Sequence, residues 1–328
     1  MRARPKARWL VGAVALAVVC GATGTAGATT NETAASPVNI MWLQPLRNHP
    51  VHRIMQAGFL AECKKLGAHC EIVGNPSATQ WDVPSSLSLA AAAMAREHFN
   101  AVGVYAGDPA LYPFIKKLNK QHLPVVSWHF PLKKGTVPGL TAITGCKPDV
   151  YARQVAIVMG KEMGGKGTVA LTQGGFNPTE NLVSKTFTAT MKAKYPNIKV
   201  LKPQLEDFEP SKAIAKAVGI LQANPDVTAA FSTTGNGPET WSGAERQAGK
   251  KLTIISMDYV RQNLDLVKSG AVYAIVAQPL FQEGAKTADL LYAAAKGKPI
   301  SYYNWLPAPI VTKDKTGPYY KLLDQAGQ

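Results

Sequence analysis

The sequence predicts an α/β protein of two doubly wound domains. Three observations carry this. Strand-like apolar runs alternate with helix-length amphipathic stretches along nearly the whole chain. The series restarts after about residue 148. The 328 residues suit two domains of about 100–200 residues each better than one core.

Taken in order, residues 38–43 (VNIMWL) form a continuous apolar run, as a strand buried on both faces requires. Val51, Ile54, Met55, Phe59 and Leu66 recur at helical spacing over 51–66, and Gly67 is placed to end that helix. Residues 70–73 read as a strand. Residues 84–98 read as an Ala-rich helix with Pro84 in its first turn. A strand at 101–105, a helix at 110–121 and a strand at 124–128 complete the first series. The second series runs helix 149–163, strand 167–171, helix 180–194, strand 198–202 and helix 210–223. It continues with strand 227–232, helix 238–248, strand 252–256, helix 260–269, strand 272–276 and helix 279–296.

The first 28 residues stand apart. Arg2, Arg4, Lys6 and Arg8 precede an apolar run at 9–19, and Ala26-Gly27-Ala28 closes the segment. That layout predicts a secretory signal peptide, followed by a polar leader at 29–36. The run is short of the roughly 20 residues that span a bilayer. Cys20 offers a lipoprotein alternative, but Val19 before it is not small, so a soluble exported, periplasmic protein is favoured. Net charge is +15, or about +11 without the leader peptide's four basic residues. The lysines are scattered as on a solvated surface, and export argues against nucleic acid as a partner. Cys63, late in a helix, and Cys70, opening the next strand, suit a disulfide across a short loop in an oxidising compartment, leaving Cys146 unpaired.

In doubly wound sheets, ligands bind beyond the carboxyl ends of the strands. The segments to watch are therefore 47–52, Asp108, His129–Phe130, 173–181, 235–241, Asp258 and Gln278. Trp42, Trp128, Phe208 and Trp241, also near strand ends, point to a binding role over a purely structural one. No GxSxG, HExxH or P-loop appears, so no enzyme chemistry and no cofactor are expected. Gly164-Gly165-Lys166-Gly167 precedes a strand and reads as a tight turn. Gly174-Gly175 follows one, and is expected to let backbone approach a ligand.

The stretch LTIISMDYVRQNLDLVKSGAVYAIVAQPLFQEG (252–284) carries Asp258 after an apolar strand, Lys268-Ser269-Gly270 at a helix end, Ala277-Gln278-Pro279 after the next strand, and Gly284. It resembles the periplasmic sugar-binding proteins of the ribose-binding type. His49-Pro50 with Ala57-Gly58-Phe59, Leu123–Val126, Asp207-Phe208 and Asn224–Val227 extend the likeness over about 37–315. The resemblance implies two Rossmann-like lobes joined by three crossovers near 143, 278 and 306. The lobes would be 37–143 with 279–306, and 144–278 with 307–328, closing on a ligand by a hinge. It implies a monomeric clamp that delivers a sugar-like ligand to an ABC transporter permease. The same closed surface could instead signal to a receptor. A sugar-responsive repressor would need a DNA-binding domain where the signal peptide stands.

Carried over residue by residue, Asp258 matches the family's diol-binding carboxylate and Gln278 the amide near the hinge. Phe208 matches a ring-stacking aromatic, and Asn181 and Asn236 match polar cleft positions. The sequence departs from the family where His49-Pro50-Val51-His52 replaces an Asn-Pro-Phe-Phe loop and His129-Phe130 replaces an Asp-Arg pair. Three of the six histidines thus map to one wall. This suggests an anionic or acceptor-rich sugar gripped by imidazolium, with binding weakening above pH ~6–7. A metal ion held by His49, His52 and His129 is the lesser alternative.

Overall fold

The computed structural model describes residues 37–129 and 132–328. The signal peptide (1–28), the leader (29–36), Cys20 and Phe130 lie outside the described residues.

The first sheet is built from β1 (Asn39–Leu43), β2 (His69–Val73), β3 (Ala101–Val104), β4 (Val125–Ser127) and β5 (Ala142–Gly145), all parallel. Between them lie α1 (Pro50–Leu66), α2 (Val83–Arg96) and α3 (Tyr112–Lys120). The second sheet follows, after α4 (Pro148–Glu162), with β6 (Lys166–Gln173), α5 (Pro178–Lys194), β7 (Asn197–Val200), β8 (Gln204–Leu205) and α6 (Pro210–Ala223). It continues with β9 (Val227–Ser232), α7 (Gly237–Ala248), β10 (Thr253–Met257), α8 (Arg261–Ser269) and β11 (Ala274–Val276). The long helix α9 (Leu280–Ala295) and β12 (Tyr303–Trp305) return to the first sheet. β13 (Ile310–Thr312) and α10 (Gly317–Gln325) then finish the chain beside the second.

Strand order is β12-β5-β4-β3-β1-β2 in one sheet and β13-β11-β10-β9-β6-β7 in the other, with β8 beside β6. The chain therefore passes between the sheets three times: after Gly145, after Val276 and after Trp305. β13 runs antiparallel to β11 at the edge, an exception to the all-parallel expectation.

Each central strand is apolar throughout because both its faces are covered. Alternate residues of β1 point opposite ways. Ile40 and Trp42 join Ile54, Met55 and Phe59 of α1 and Leu291 of α9. Met41 and Leu43 join Ala90 and Ala93 of α2 and Ile115 and Leu118 of α3. The second sheet repeats the arrangement, with Val169, Leu171 and Phe231 against Val155 and Met159 of α4 and Phe187 of α5.

Two glycines set how closely α1 and α9 approach. A methyl group at Gly58 would lie 1.9 Å from the Phe281 carbonyl oxygen, and one at Gly284 would lie 1.9 Å from that of Met55. Gly67 ends α1 in the left-handed conformation, φ 64°, as the sequence predicts. Just beyond it, Cys63 and Cys70 form the expected disulfide, with Cα atoms 6.2 Å apart. Cys146 is a free, buried thiol. Among the described residues, no helix is long and apolar enough to cross a membrane.

Three aromatic expectations are revised. Trp42, Trp128 and Trp241 are fully buried core residues. The Trp42 ring packs on Phe59 at 4.5 Å and edge-on to Trp128 at 5.4 Å. Trp42 lies one step inside the end of β1, Trp128 directly follows β4 and Trp241 sits in α7, and all three side chains turn into the core.

Candidate functional site

A cavity of about 120 Å³ lies where the carboxyl ends of the two sets of strands face each other. The first sheet contributes Leu46, His49, Val51 and His52 from β1 and the start of α1, Trp81 from the loop after β2, Tyr105 after β3 and His129 after β4. The second contributes Asn177, Thr179 and Glu180 after β6, Phe208 after β8 and Thr233, Thr234 and Gly235 after β9. Asp258 after β10 and Gln278 after β11 complete it, with Tyr151 from α4. This is the placement expected for parallel α/β sheets. A second hollow of about 440 Å³ adjoins it and shares Trp81, Tyr105, Asn177, Glu180 and Phe208.

Asp258 is 3% exposed and sits at φ 69°, a backbone region uncommon outside glycine. Its Oδ1 is buried without a hydrogen-bond partner. Burial moves its pKa up to about 7; the nearby His129 opposes the rise and Glu283 adds to it.

Burial disfavours the imidazolium form of His49 and His52. Burial lowers the pKa of both, and the neighbouring histidines lower each further. His49 Nε2 lies 3.0 Å from Asn236 Oδ1, while Asn236 Nδ2 donates to the Phe208 carbonyl at 3.1 Å. That second bond fixes the amide orientation, so Nε2–H donates and neutral His49 joins the two lobes directly. His129 differs. Burial alone would lower its pKa, but the Glu283 carboxylate, 3.2 Å from Nδ1, raises it overall. Its partner Glu283 is fully buried in α9. Of the three histidines expected to grip the ligand as imidazolium, burial thus disfavours the charged form of His49 and His52, and Glu283 favours it in His129. Among the described residues, no three His, Cys, Asp or Glu side chains are grouped to hold a metal ion.

The remaining expected residues fall in different places. Phe208 and Gln278 line the cavity. Gln278 Nε2 also reaches Cys146 Sγ at 3.5 Å, and burial pushes that thiol up to about 12. Asn236 stands at the cavity's edge and bridges the lobes. Asn181 is exposed and accepts from Gln173 Nε2 at 3.1 Å, outside the cavity lining. Gly174 and Gly175 line the adjoining hollow, and Gly174 also lets Thr234 and Phe208 approach, since a methyl there would meet Thr234 at 2.7 Å and the Phe208 ring at 3.0 Å.

Three buried or partly buried glutamates organise the walls, and the sequence reading missed them. Glu180 accepts from the backbone N–H groups of Gly174 and Gly175 and from the side chains of Asn177 and Thr233. Asn177 in turn accepts from Glu180 N at 3.0 Å, a capping box legible as Asn-x-x-Glu. Glu206 is buried beneath four hydroxyls, from Thr172, Ser232, Thr234 and Thr240, which tie β6, β9 and α7 to one point. Glu283 shares the buried face of α9 with Leu280, Gly284 and Thr287, a helical spacing that marks it as an acid facing the core. Trp81 and Tyr105 were also missed. Their rings meet edge-on at 5.0 Å, and Trp81 Nε1 donates to Asp108 at 2.9 Å.

Residues 40–299 match the model of a family described as the periplasmic binding protein domain. Solved structures are similar in fold. A carbohydrate transporter solute binding protein from Agrobacterium radiobacter, in complex with D-arabinose, superposes with a TM-score of 0.79 at 18% identity, covering 89% of this chain and all of that one. GanP, a glucose-galactose binding protein from Geobacillus stearothermophilus, gives 0.78 at 18% identity, over 86% and 99% of the two chains. An ABC transporter solute binding protein from Agrobacterium vitis with bound D-fucose gives 0.77 at 23%, over 86% and 97%.

Proposed function

The chain belongs to the periplasmic binding protein domain family, and from that premise we propose that it is an exported clamp that captures a sugar or sugar derivative between its lobes. The clamp hands its cargo to an ABC importer and performs no chemistry on it. The observation that carries this reading is the cavity itself. It joins polar groups from both sheets to the aromatic side chains of Trp81, Tyr105 and Phe208. Ring faces cover the apolar side of a sugar, while carboxylates and amides bind its hydroxyls. Asp258 Oδ1 is an acceptor waiting for a donor from outside the protein. The sugars named for the three similar structures support the same ligand class.

In this reading residues 1–28 direct export, and the lobes 37–143 with 279–306 and 144–278 with 307–328 move as units about the three crossovers. Asp258, Gln278 and Phe208 contact the ligand, while His49 and Asn236 join the lobes when closed. The working protein is a monomer, since closure needs both lobes free.

A thermal-shift screen against sugars, amino sugars, sugar acids and polyols tests the proposal. A ligand at 100 times its Kd should stabilise the protein by about 2.7 kcal/mol, a shift of several degrees. A panel in which no carbohydrate raises the melting temperature would refute it.

A further inference from the structure

We propose that the ligand carries a positive charge, an ammonium group on its sugar-like ring, and that Asp258 is the residue that reads it. This rests on the sugar-clamp reading and goes beyond it by fixing the charge of the cargo.

The argument is an inventory of charge at the cavity. The chain has 36 lysines and arginines, yet none is among the described residues that line it. The ionisable groups facing it are His49 and His52 of α1, Tyr105 after β3, His129 after β4, Tyr151 of α4, Glu180 of α5 and Asp258 after β10. Both tyrosines are held neutral by burial. Both α1 histidines are also neutral at pH 7. His129 alone among the described histidines of the lining has its protonated form favoured, and it is bonded to Glu283 behind it. The wall thus offers the carboxylates of Glu180 and Asp258 with no protein cation free to match them.

The two carboxylates are not equivalent. Glu180 has both oxygens engaged by Gly174, Gly175 and Asn177 of its own loop and by Thr233 after β9. Asp258 lines the cavity, and its buried Oδ1 has no hydrogen-bond partner among the described residues. A ring hydroxyl could donate to it but would leave its charge buried and unmatched. An ammonium supplies both the donor and the charge. Trp81, Tyr105 and Phe208 give the same cavity an aromatic lining, and a cation placed over such a ring is attracted to it where an anion is not. A carboxylate ligand would meet two acids and no lysine or arginine among the described lining residues.

The test is a set of matched triples on several ring skeletons: the parent sugar, its amino-deoxy derivative and its uronic acid. Affinities are measured by titration calorimetry on the wild-type protein at pH 7.5 and 5.5. The amine should bind at least tenfold more tightly than its parent at pH 7.5, and the acid should not bind measurably. The preference should shrink at pH 5.5, where Asp258 takes up a proton. Asp258→Asn, checked for native circular dichroism, should erase the amine's advantage. A parent sugar that equals or beats its amine, or an acid that binds, overturns the charge assignment and leaves the sugar clamp standing. Failure of every skeleton overturns the sugar reading and this inference with it.

Discussion

Asp258 and His129 face the same cleft from opposite lobes, and both hold left-handed backbone, at φ 69° and 61°. Such positions cost energy and persist where the surroundings over-determine them, often at binding sites. Asp258 adds an ionisation cost. Its folded pKa, about 7, lies above the ordinary carboxylate value of 3.8, so the folded state retains a proton that the unfolded chain has lost. Stability therefore falls as pH rises from about 4 to 7, and stays reduced above that. Asn cannot ionise and tolerates positive φ well. Asp258→Asn should thus stabilise the ligand-free protein at pH 8 by about 2 kcal/mol, measured by urea unfolding, while weakening ligand binding. A variant no more stable than wild type at pH 8 would contradict the burial assigned to this carboxylate. At this scale the sequence was partly legible. Asp258, Gln278 and Phe208 follow strands and carry a motif. Trp81 and Tyr105 reach the cavity from loops that no motif marks. The histidines were visible but their charge was not, because burial and Glu283 set it through contacts between distant segments.

Among the elements, α1 and α9 make the closest helix contact, at Gly58 and Gly284. Gly58→Ala would drive a methyl into the Phe281 backbone, with no flexible side chain to yield. Overpacking of this kind costs about 1–3 kcal/mol or more, and here it would also part α9 from the first sheet. The expected outcome is a fall in melting temperature of several degrees, with Gly67→Ala as a control. Position 67 has open space around it and should lose only what its left-handed φ demands. Helices α1 to α9 and the longer strands were legible because their periodicities extend over many residues. β5 was overlooked, and β12, β13 and α10 were not read at all. The strands among them have three or four residues, too few for a pattern, and are fixed by pairing with strands far away in sequence. The antiparallel β13 had no local signal, since direction is set by where the chain re-enters the sheet.

For the whole molecule, the restart of the strand–helix series revealed two sheets, and the resemblance supplied the three passages between them. Those passages make the first lobe discontinuous. α9 covers β1, β3 and β4 and packs along α1, and β12 closes the far edge. A fragment 37–278 keeps the entire second sheet except β13, but loses the helix that buries Met55, Phe59 and Glu283's partner His129. It should show partial helical circular dichroism, bind a dye specific for exposed apolar surface and unfold without cooperativity. A cooperative unfolding transition equal to that of the full chain would show that α9 is dispensable.

That late return of α9 also orders events during synthesis. Translation delivers α1 early, and its apolar face must wait for almost the whole remaining chain before its cover arrives. At ~5–20 residues per second the nascent first lobe stays incomplete for ten seconds or more. For the export proposed above, with the chain threaded through a membrane before it folds, this delay is useful. The topology itself keeps the chain from becoming a finished, untranslocatable body while the ribosome is still at work.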